Sequence, residues 1–230
     1  MNPAGQDAFP IAPLRLTLRS AGMAFAGFSG SLWHGGLGMM LERRFLPVFD
    51  LLYGGDTETR LYALLPPSES NLPEGSSFDL RLTLFGPATR HILACTQAIA
   101  ELGDAGVGSA GGFRLETAAV MSPDGDRPYF TAAEGLLVPP ADHDLRDYLA
   151  APPAARRVRL RLTTPLRLKE GNDLLRTAPR YEQVIHRLFG RLDQIAHALG
   201  VTPPLVKAGR SPLLEEGRAV RLVRDQLRWT

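Results

Sequence analysis

One histidine lies in a sequence context that suits acid–base chemistry. His34 belongs to the stretch GMAFAGFSGSLWHGGLGMMLERRF, residues 22–45, in which glycines are unusually frequent for a segment that must become a helix. Each glycine costs a helix up to about 1 kcal/mol against alanine, so we expect something to approach this backbone closely. A helix is predicted over 37–45, with Arg43 and Arg44 toward its outer side. Because histidine titrates near neutral pH, His34 is a candidate functional residue, although it can equally be merely exposed or capping.

A second candidate feature is a basic strand within RRVRLRLTTPLRLKEG, residues 156–171. Its apolar residues alternate with three arginines: Arg157, Arg159 and Arg161. The alternation predicts three guanidinium groups on one strand face at intervals of about 7 Å, close to the phosphate spacing of an extended single strand. The same pattern also suits the solvated face of an edge strand, where charge blocks unwanted pairing. Two further cations continue the basic character: Arg167 and Lys169.

Charge is divided unevenly along the 230-residue chain. Residues 1–150 carry ten basic and 17 acidic side chains, whereas residues 151–230 carry 16 basic and seven acidic ones. Nearly all the cations are arginines, whose guanidinium groups suit phosphate oxygens. We therefore expect a polyanion to bind the C-terminal part.

The composition restricts the class of protein. With 44% hydrophobic residues, the chain can bury a sizeable core in one large domain or two small ones. The single cysteine, Cys95, supports neither a disulfide framework nor a thiolate metal cluster, and it fits a reducing cytoplasm. The sequence has no charged-then-apolar leader and no apolar run near the roughly 18 residues of a membrane span. These features predict a soluble cytoplasmic protein without a membrane partner.

The chain is organised around residues 78–120, whose pattern predicts a strand, a turn, a helix, a glycine-rich loop and a second strand. Gly86 and Pro87 are expected to begin the helix, and Gly103 stands where a left-handed cap is usual. Four loop glycines follow: Gly106, Gly108, Gly111 and Gly112. The loop follows a helix and lacks a Gly-Lys-Ser/Thr ending, so we set aside a P-loop or dinucleotide site. Either a partner approaches this backbone closely, or the loop merely needs positive φ angles.

Other elements complete the predicted order. Strands are predicted over 13–20 and 61–65, and a long amphipathic helix from Pro179 to Leu199. Its polar side carries three arginines and two histidines: Arg180, Arg187, Arg191, His186 and His197. The two histidines lie three turns apart, so they cannot share a metal ion. The last stretch, RAVRLVRDQLRW, alternates weakly and is predicted to be a strand.

Both halves of the chain share one plan: a strand with basic outward residues, a helix and further strands. This order is typical of βαββαβ, RRM-like domains, so the predicted fold class is α+β with two ferredoxin-like domains in tandem. The predicted boundaries are an N-terminal domain over 1–140, a linker over 141–155 and a basic C-terminal domain over 156–230.

Several stretches together resemble a known family. They are FGPATRHILACTQAIAELGDAGVGSAGGFRLETAAV, RLRLTTPLRLKEG, YEQVIHRLFGRLDQIAHALG and the upstream FSGSLWHGGLGMML. Over roughly residues 13–228 the chain resembles the repeat-specific CRISPR RNA endoribonucleases of the RAMP superfamily. The glycine loop and the TPLRL element are more typical of RAMP proteins in general than of the nuclease branch. Such relatives usually continue past the position of Trp229, so the resemblance implies either an abridged second domain or one whose last strands come from elsewhere.

The resemblance implies an enzyme that binds a CRISPR repeat stem-loop and cuts precursor crRNA without a metal ion or other cofactor. The ribose 2′-OH attacks the adjacent phosphate and leaves a 2′,3′-cyclic phosphate, and a histidine near the first helix often acts as general base. His34 is the matching position, with Arg43 and Arg44 as the cations that the phosphorane requires. Three other residues remain candidates for the base: Tyr53, Tyr181 and His186.

The resemblance also implies partners. Mature crRNA would stay bound, alongside other CRISPR effector subunits. RNA contacts are expected from the following residues: Arg157, Arg159, Arg161, Arg167, Lys169, Arg180, Arg187, Arg191, Gly106, Gly108, Gly111 and Gly112. One alternative is a non-catalytic RAMP subunit that holds crRNA within an effector complex. Another is a protein-interaction module whose basic face binds an acidic partner.

Overall fold

The computed structural model describes residues 8–54, 59–148, 157, 159–160, 162, 168–170, 173–203 and 207–225. The chain forms two compact units, the first within Ala8–Thr164 and the second within Pro165–Thr230. None of the helices among the described residues combines the length and hydrophobicity of a membrane-spanning segment.

The first unit alternates strands and helices. Its strands are β1 (Pro10–Ser20), β2 (Met23–Ala24), β3 (Tyr62–Leu65), β4 (Asn71–Leu72), β5 (Ser77–Phe85), β6 (Phe113–Val120), β7 (Arg127–Thr131), β8 (Gly135–Leu136) and β9 (His143–Asp144). Its α-helices are α1 (Gly30–Arg44), α2 (Leu46–Leu52) and α3 (Ile92–Ala105). Two 3-10 helices cover Gly86–His91 and Leu145–Tyr148.

The first unit is built on one antiparallel sheet. The strand order is β3-β5-β1-β6-β7-β8, and β9 pairs with β1. Strand β2 pairs separately with β4. The sequence of main elements is β1-α1-β3-β5-α3-β6, which is the β-α-β-β-α-β order predicted for this part of the chain. The predicted α+β class is confirmed.

The core lies between one face of this sheet and the helices α1 and α3. Strand β1 buries alternate leucines and β5 does the same, because successive side chains of a strand point to opposite faces. The buried side chains that join the layers are the following: Leu14, Leu16, Leu18, Leu80, Leu82, Leu84, Trp33, Leu37, Leu41, Cys95, Ile99 and Leu102. The strand predicted over 13–20 and the first strand predicted within 78–120 are confirmed, and β3 matches the strand predicted over 61–65.

The start of α1 and both ends of α3 differ from prediction. The residues Gly86 and Pro87 begin a 3-10 helix, and α3 itself begins at Ile92. The helix α1 begins at Gly30 and includes the glycine-rich lead-in to the predicted start at residue 37. The helix α3 continues through Gly103 to Ala105, and Gly106 lies at its C-terminus with φ +85°. Gly103 is required for packing, because a Cβ there would meet the backbone oxygen of Phe113.

Part of the predicted linker over 141–155 belongs to the first unit. His143–Asp144 pairs with Pro10 and Ile11 of β1, and the Asp144 carboxylate accepts a hydrogen bond from the Phe9 amide at 3.1 Å. The basic strand predicted within residues 156–171 is not observed at Arg157, Arg159, Leu160 and Leu162, which have no regular structure, and only Lys169–Glu170 form a short strand. The two leucines are 57% and 43% exposed, so they do not face a core. Arg161 and Arg167 lie outside the described residues.

The second unit contains a short hairpin and two helices: β10 (Lys169–Glu170), β11 (Asp173–Leu174), α4 (Tyr181–Leu199) and α5 (Lys207–Ala219). The helix predicted to end at Leu199 is confirmed, with Gly200 in the left-handed conformation at φ +65°. The terminal strand is wrong for the described residues, because α5 runs to Ala219 and 220–225 have no regular structure. Val220, Leu222 and Val223 are exposed there. A second βαββαβ repeat is not observed among the described residues of this unit.

Candidate functional site

His34 lies on the second turn of α1, at the border between its buried and exposed faces. The neighbouring Trp33 and Leu37 are fully buried in the core, whereas His34 itself is half-buried. This position keeps the imidazole within reach of both the protein interior and an approaching ligand. Strand β3 and the end of α2 bring two tyrosines against it.

The two tyrosines hold both ends of the histidine residue. The Tyr62 hydroxyl lies 2.5 Å from His34 Nδ1. The Tyr53 hydroxyl donates a hydrogen bond to the His34 backbone oxygen at 2.7 Å. The imidazole stacks on the Tyr62 ring with centroids 5.6 Å apart, and the Tyr53 centroid is 5.0 Å away. No polar group among the described residues pairs with His34 Nε2, so that nitrogen is available to a ligand.

Arg60 supplies the positive charge of this cluster. Its guanidinium donates to the Tyr53 backbone oxygen at 2.6 Å and to that of Leu52 at 3.5 Å. The same group lies 5.7 Å from the centroid of the Tyr53 ring, in cation–π range. Arg60 therefore ties the end of α2 to the cluster and places a fixed cation near the imidazole.

Burial sets the protonation states of the cluster. The pKa of His34 is lowered, first by desolvation and then by the charge of Arg60, so the imidazole is mainly neutral at pH 7. Burial raises the pKa of Tyr53 to about 12, although its interaction with the Tyr62 hydroxyl acts the other way. The pKa of Tyr62 is raised further, by burial and then by Tyr53. The site thus combines a neutral imidazole with two protonated hydroxyls.

The glycines of α1 let the rest of the fold approach the helix, as the sequence predicts. A Cβ on Gly38 would lie 2.8 Å from Cε1 of Tyr53, and one on Gly36 would lie 2.8 Å from both methyl groups of Leu102. The groups that approach are the protein's own, from α3 and from the residue after α2. Gly38 is thereby a condition for the contact between Tyr53 and His34.

Arg43 and Arg44 lie away from the imidazole. They follow His34 by nine and ten residues, which is about 14 Å along the helix axis. Both side chains are exposed, and Arg44 forms an ion pair with Glu101 of α3 at 3.3 Å. The cation beside His34 is instead Arg60, which the sequence analysis missed together with Tyr62. The available signal was the predicted strand over 61–65, because a β-α-β connection returns its second strand to the side of the helix.

The glycine-rich loop after α3 is closed by the protein's own backbone. Gly106, Gly108 and Gly111 have positive φ angles of 85°, 57° and 115°. A Cβ on Gly111 would meet the backbone oxygen of Gly22. The Ala21 backbone amide donates a hydrogen bond to the Gly112 backbone oxygen at 3.0 Å. The conformational requirement of this loop is therefore observed, and the close partner of its backbone is the segment around β2.

Of the remaining predicted contact residues, Arg157 and Arg159 lie within the first unit, and the others that are described belong to the second unit. Arg180 caps α4 and forms an ion pair with Glu182 at 3.6 Å, and Glu182 also pairs with Arg218 at 3.2 Å. Arg187 and His186 are exposed, whereas burial lowers the pKa of the half-buried Arg191. Two predicted residues occupy ends of elements: Tyr181, the first residue of α4, and Lys169, the first residue of β10.

The described part of the chain contains no cluster of three or more His, Cys, Asp or Glu side chains arranged to hold a metal ion.

Comparison with solved structures found structural similarity to a CRISPR protein complex. No protein-family model matches the chain, and no curated protein does. The crystal structure of the Csm3–Csm4 subcomplex in the type III-A CRISPR-Cas interference complex is similar to 53% of this chain and 81% of the compared chain. The sequence identity is 14% and the TM-score is 0.35. These values are too low to establish a shared fold or function.

Proposed function

We propose that this protein is an endoribonuclease that cuts precursor CRISPR RNA, with His34 as the general base. The observation that carries the proposal is the state of the imidazole: neutral at pH 7, held at Nδ1 by Tyr62, and without a protein partner at Nε2 among the described residues. A base for ribonucleotide cleavage needs these three properties, because it must be unprotonated, fixed in direction and open to the substrate.

The proposed role requires the tautomer with hydrogen on Nδ1. The Tyr53 hydroxyl donates to the His34 carbonyl, so its oxygen is free to accept the hydrogen of the nearby Tyr62 hydroxyl. In that arrangement the Tyr62 oxygen accepts from His34 Nδ1–H. The Nε2 lone pair is left for the substrate, and the imidazolium formed after proton transfer keeps its hydrogen bond to Tyr62.

The proposed step is an internal transesterification. Nε2 of His34 takes the proton of the ribose 2′-OH as the 2′ oxygen bonds to the adjacent phosphorus. The bond from phosphorus to the 5′ oxygen breaks, and that oxygen takes a proton from water. The hydroxide formed takes the proton from the His34 imidazolium, which restores the neutral base. The products are a 2′,3′-cyclic phosphate and a 5′-OH, and the reaction requires no metal ion or other cofactor. Burial first and the charge of Arg60 second lower the pKa of His34 and keep the imidazole neutral before the attack.

RNA binding and assembly are part of the same proposal. The basic residues of the C-terminal part of the chain, from Arg157 to Arg191, would hold the repeat RNA, and the protein would remain with mature crRNA beside other CRISPR effector subunits. One observation favours the alternative of a non-catalytic RAMP subunit: Arg43 and Arg44 lie too far along α1 to neutralise a phosphorane at His34. In the proposed mechanism, the phosphorane would have to be neutralised by Arg60 or by a cationic group that reaches His34 when RNA is bound.

A cleavage assay with wild-type protein separates the two functions. A labelled repeat hairpin is incubated with the purified protein in EDTA, beside the same hairpin made of DNA. The proposal predicts that the RNA is cut with a 2′,3′-cyclic phosphate end, whereas the DNA lacks the 2′-OH nucleophile and stays intact. RNA that is bound and recovered uncut would assign the protein to the non-catalytic class. RNA that is neither bound nor cut would overturn both functions.

A further inference from the structure

The sheet of the first unit presents arginines on the face opposite its helices. Along β1, Arg15, Thr17 and Arg19 alternate with the buried leucines. On the flanking strands, Arg81 of β5 and Arg114 of β6 occupy the same outer face. Both of these arginines are exposed, and each stands between two buried apolar residues of its own strand.

The strand register sets these arginines directly opposite one another. Arg15 of β1 pairs with Arg81 of β5, and four residues further along, Arg19 pairs with Arg114 of β6. Like charges at opposite positions of neighbouring strands destabilise a sheet. The three central strands therefore carry two unfavourable pairs that uncharged residues would avoid.

The protein neutralises one member of each pair. Arg15 forms an ion pair with Asp126 at 2.8 Å. The Arg19 guanidinium binds the Glu116 carboxylate at 2.5 Å and donates to the Gly75 backbone oxygen at 2.8 Å. These contacts fix two of the four guanidinium groups along the sheet surface.

The other member of each pair is left available. No carboxylate among the described residues pairs with Arg81 or Arg114. The two arginines are offset by two strand spacings of about 4.8 Å across the sheet and by four residues of about 3.3 Å along it. These offsets place them about 16 Å apart. That distance corresponds to phosphates two to three nucleotides apart at the roughly 7 Å spacing of an extended single strand.

Between the two arginines the face carries Thr17 and Thr117 together with two carboxylates, Asp79 and Glu116, each of which is paired with an arginine of β1. Thr17 donates a hydrogen bond to Asp79 at 3.0 Å, and Thr17 pairs across β6 with Thr117, which is exposed. None of the residues of β5, β1 and β6 that pair across the strands with Arg81 or Arg114 is aromatic, so no ring lies beside these arginines for base stacking. The face therefore suits phosphates, which arginine binds through paired N–H groups, rather than bases.

We infer that the outer face of β5-β1-β6 binds the sugar-phosphate backbone of a single-stranded nucleic acid, with Arg81 and Arg114 on two separate phosphates. This inference rests on the proposed function, in which the natural strand is RNA, but it concerns a surface that lies on the opposite side of the sheet from the helices. Because phosphate contacts do not read the 2′-OH, single-stranded DNA should bind the same face.

The test compares two double variants with equal loss of charge. Arg81→Gln/Arg114→Gln removes the two proposed phosphate contacts. The matched control, Arg90→Gln/Arg127→Gln, removes two exposed arginines that lie off this face, one in the first 3-10 helix and one opposite Val120 at the start of β7. Binding of labelled 12-mers of oligouridylate and oligodeoxythymidylate is measured by fluorescence anisotropy over a range of salt concentrations.

We expect the slope of log K against log salt to become less negative by about 1.4 for Arg81→Gln/Arg114→Gln, at about 0.7 for each phosphate, and to stay unchanged for the control. The melting temperature of the free Arg81→Gln/Arg114→Gln variant should be equal to or above that of the wild type, because two like-charge pairs are relieved. An unchanged slope, or an equal change in the control, would overturn the inference. So would binding of polyglutamate that depends on the same two arginines, since it would assign the face to an acidic protein.

The DNA 12-mer separates this inference from the proposed function, because DNA cannot be cut by 2′-OH attack. A protein that cuts RNA but shows no slope change would lose only the sheet-face inference. A protein that binds DNA with the expected slope change but never cuts repeat RNA would lose only the nuclease proposal.

Discussion

Replacing Gly38 with alanine should disturb the His34 cluster, whereas the same change at Gly35 should stabilise the protein. A Cβ on Gly38 would lie 2.8 Å from Cε1 and 3.0 Å from Cζ of Tyr53, well inside the roughly 3.5–4.0 Å of normal carbon contacts. Such overpacking costs about 1–3 kcal/mol, and the better helix propensity of alanine returns about 1 kcal/mol. The free energy of unfolding should therefore fall by about 0–2 kcal/mol.

Gly35 is the matched control on the same helix. It is exposed, and no heavy atom lies within 4 Å of its would-be Cβ. Only the helix propensity changes there, so alanine should add about 0.5–1 kcal/mol to the free energy of unfolding. Cleavage of repeat RNA should fall for Gly38→Ala alone, because only that change displaces the Tyr53 ring from the His34 carbonyl.

Urea unfolding measures the difference. The fluorescence of Trp33, which is fully buried in the first-unit core, reports on this unit when both variants carry Trp229→Phe. With a slope of about 2 kcal/mol/M, the two midpoints should differ by about 0.25–1.5 M, with Gly35→Ala the higher. Equal shifts in the same direction would refute the packing of Tyr53 against Gly38.

Three further changes test the interior of the first unit. Tyr62→Phe should slow RNA cleavage to a rate between those of wild type and a variant without His34, because the imidazole loses its partner at Nδ1. Arg60→Gln should raise the pKa of His34 and move the acid limb of the pH–rate profile to higher pH, whereas Arg60→Lys should leave that limb in place. An acid limb that moves to lower pH in Arg60→Gln would contradict the effect of the Arg60 charge on the His34 pKa. Thr96→Val should lower the free energy of unfolding by about 1–3 kcal/mol, because it leaves the buried Tyr129 hydroxyl without its partner at 2.6 Å. Tyr129→Phe should lower it by less, because Thr96 keeps its hydrogen bond to the Ile92 backbone oxygen. Thermal or urea melts of the two variants measure the difference.

Much of the first unit follows from its sequence pattern. The alternation in β1 and β5 predicts the sheet because one face of each strand must be buried, and leucine at every second position leaves one choice of face. The glycines of α1 predict a close approach, which Tyr53 and Leu102 make. For these elements, the local spacing of apolar residues and glycines is sufficient to predict the structure.

The site depends on contacts that a local pattern does not record. Tyr62 lies 28 residues after His34, and the two meet because the β-α-β connection returns β3 to the side of α1. The sequence instead favoured Arg43, which is near His34 along the chain but about 14 Å away along the helix. Arg60 joins the cluster through backbone oxygens at the end of α2, and backbone contacts leave no signature in residue types.

Alternation was also a poor guide in the second unit. Val220, Leu222 and Val223 alternate loosely with arginines, yet they are exposed and follow a helix. A period-2 pattern predicts a strand only when a neighbouring strand is available to pair with it. The described residues of this unit contain only the short hairpin β10–β11 as strands, and the segment after α5 does not pair with it.

The most direct test of the central claim is the single-turnover rate of repeat-RNA cleavage by His34→Ala in EDTA. His197→Ala, which removes an exposed histidine of α4, is the matched control. The proposed role predicts that His34→Ala binds the hairpin as tightly as wild type but cuts it about 10²–10⁴-fold more slowly, while His197→Ala cuts at the wild-type rate. Cleavage by His34→Ala at the wild-type rate would contradict the account.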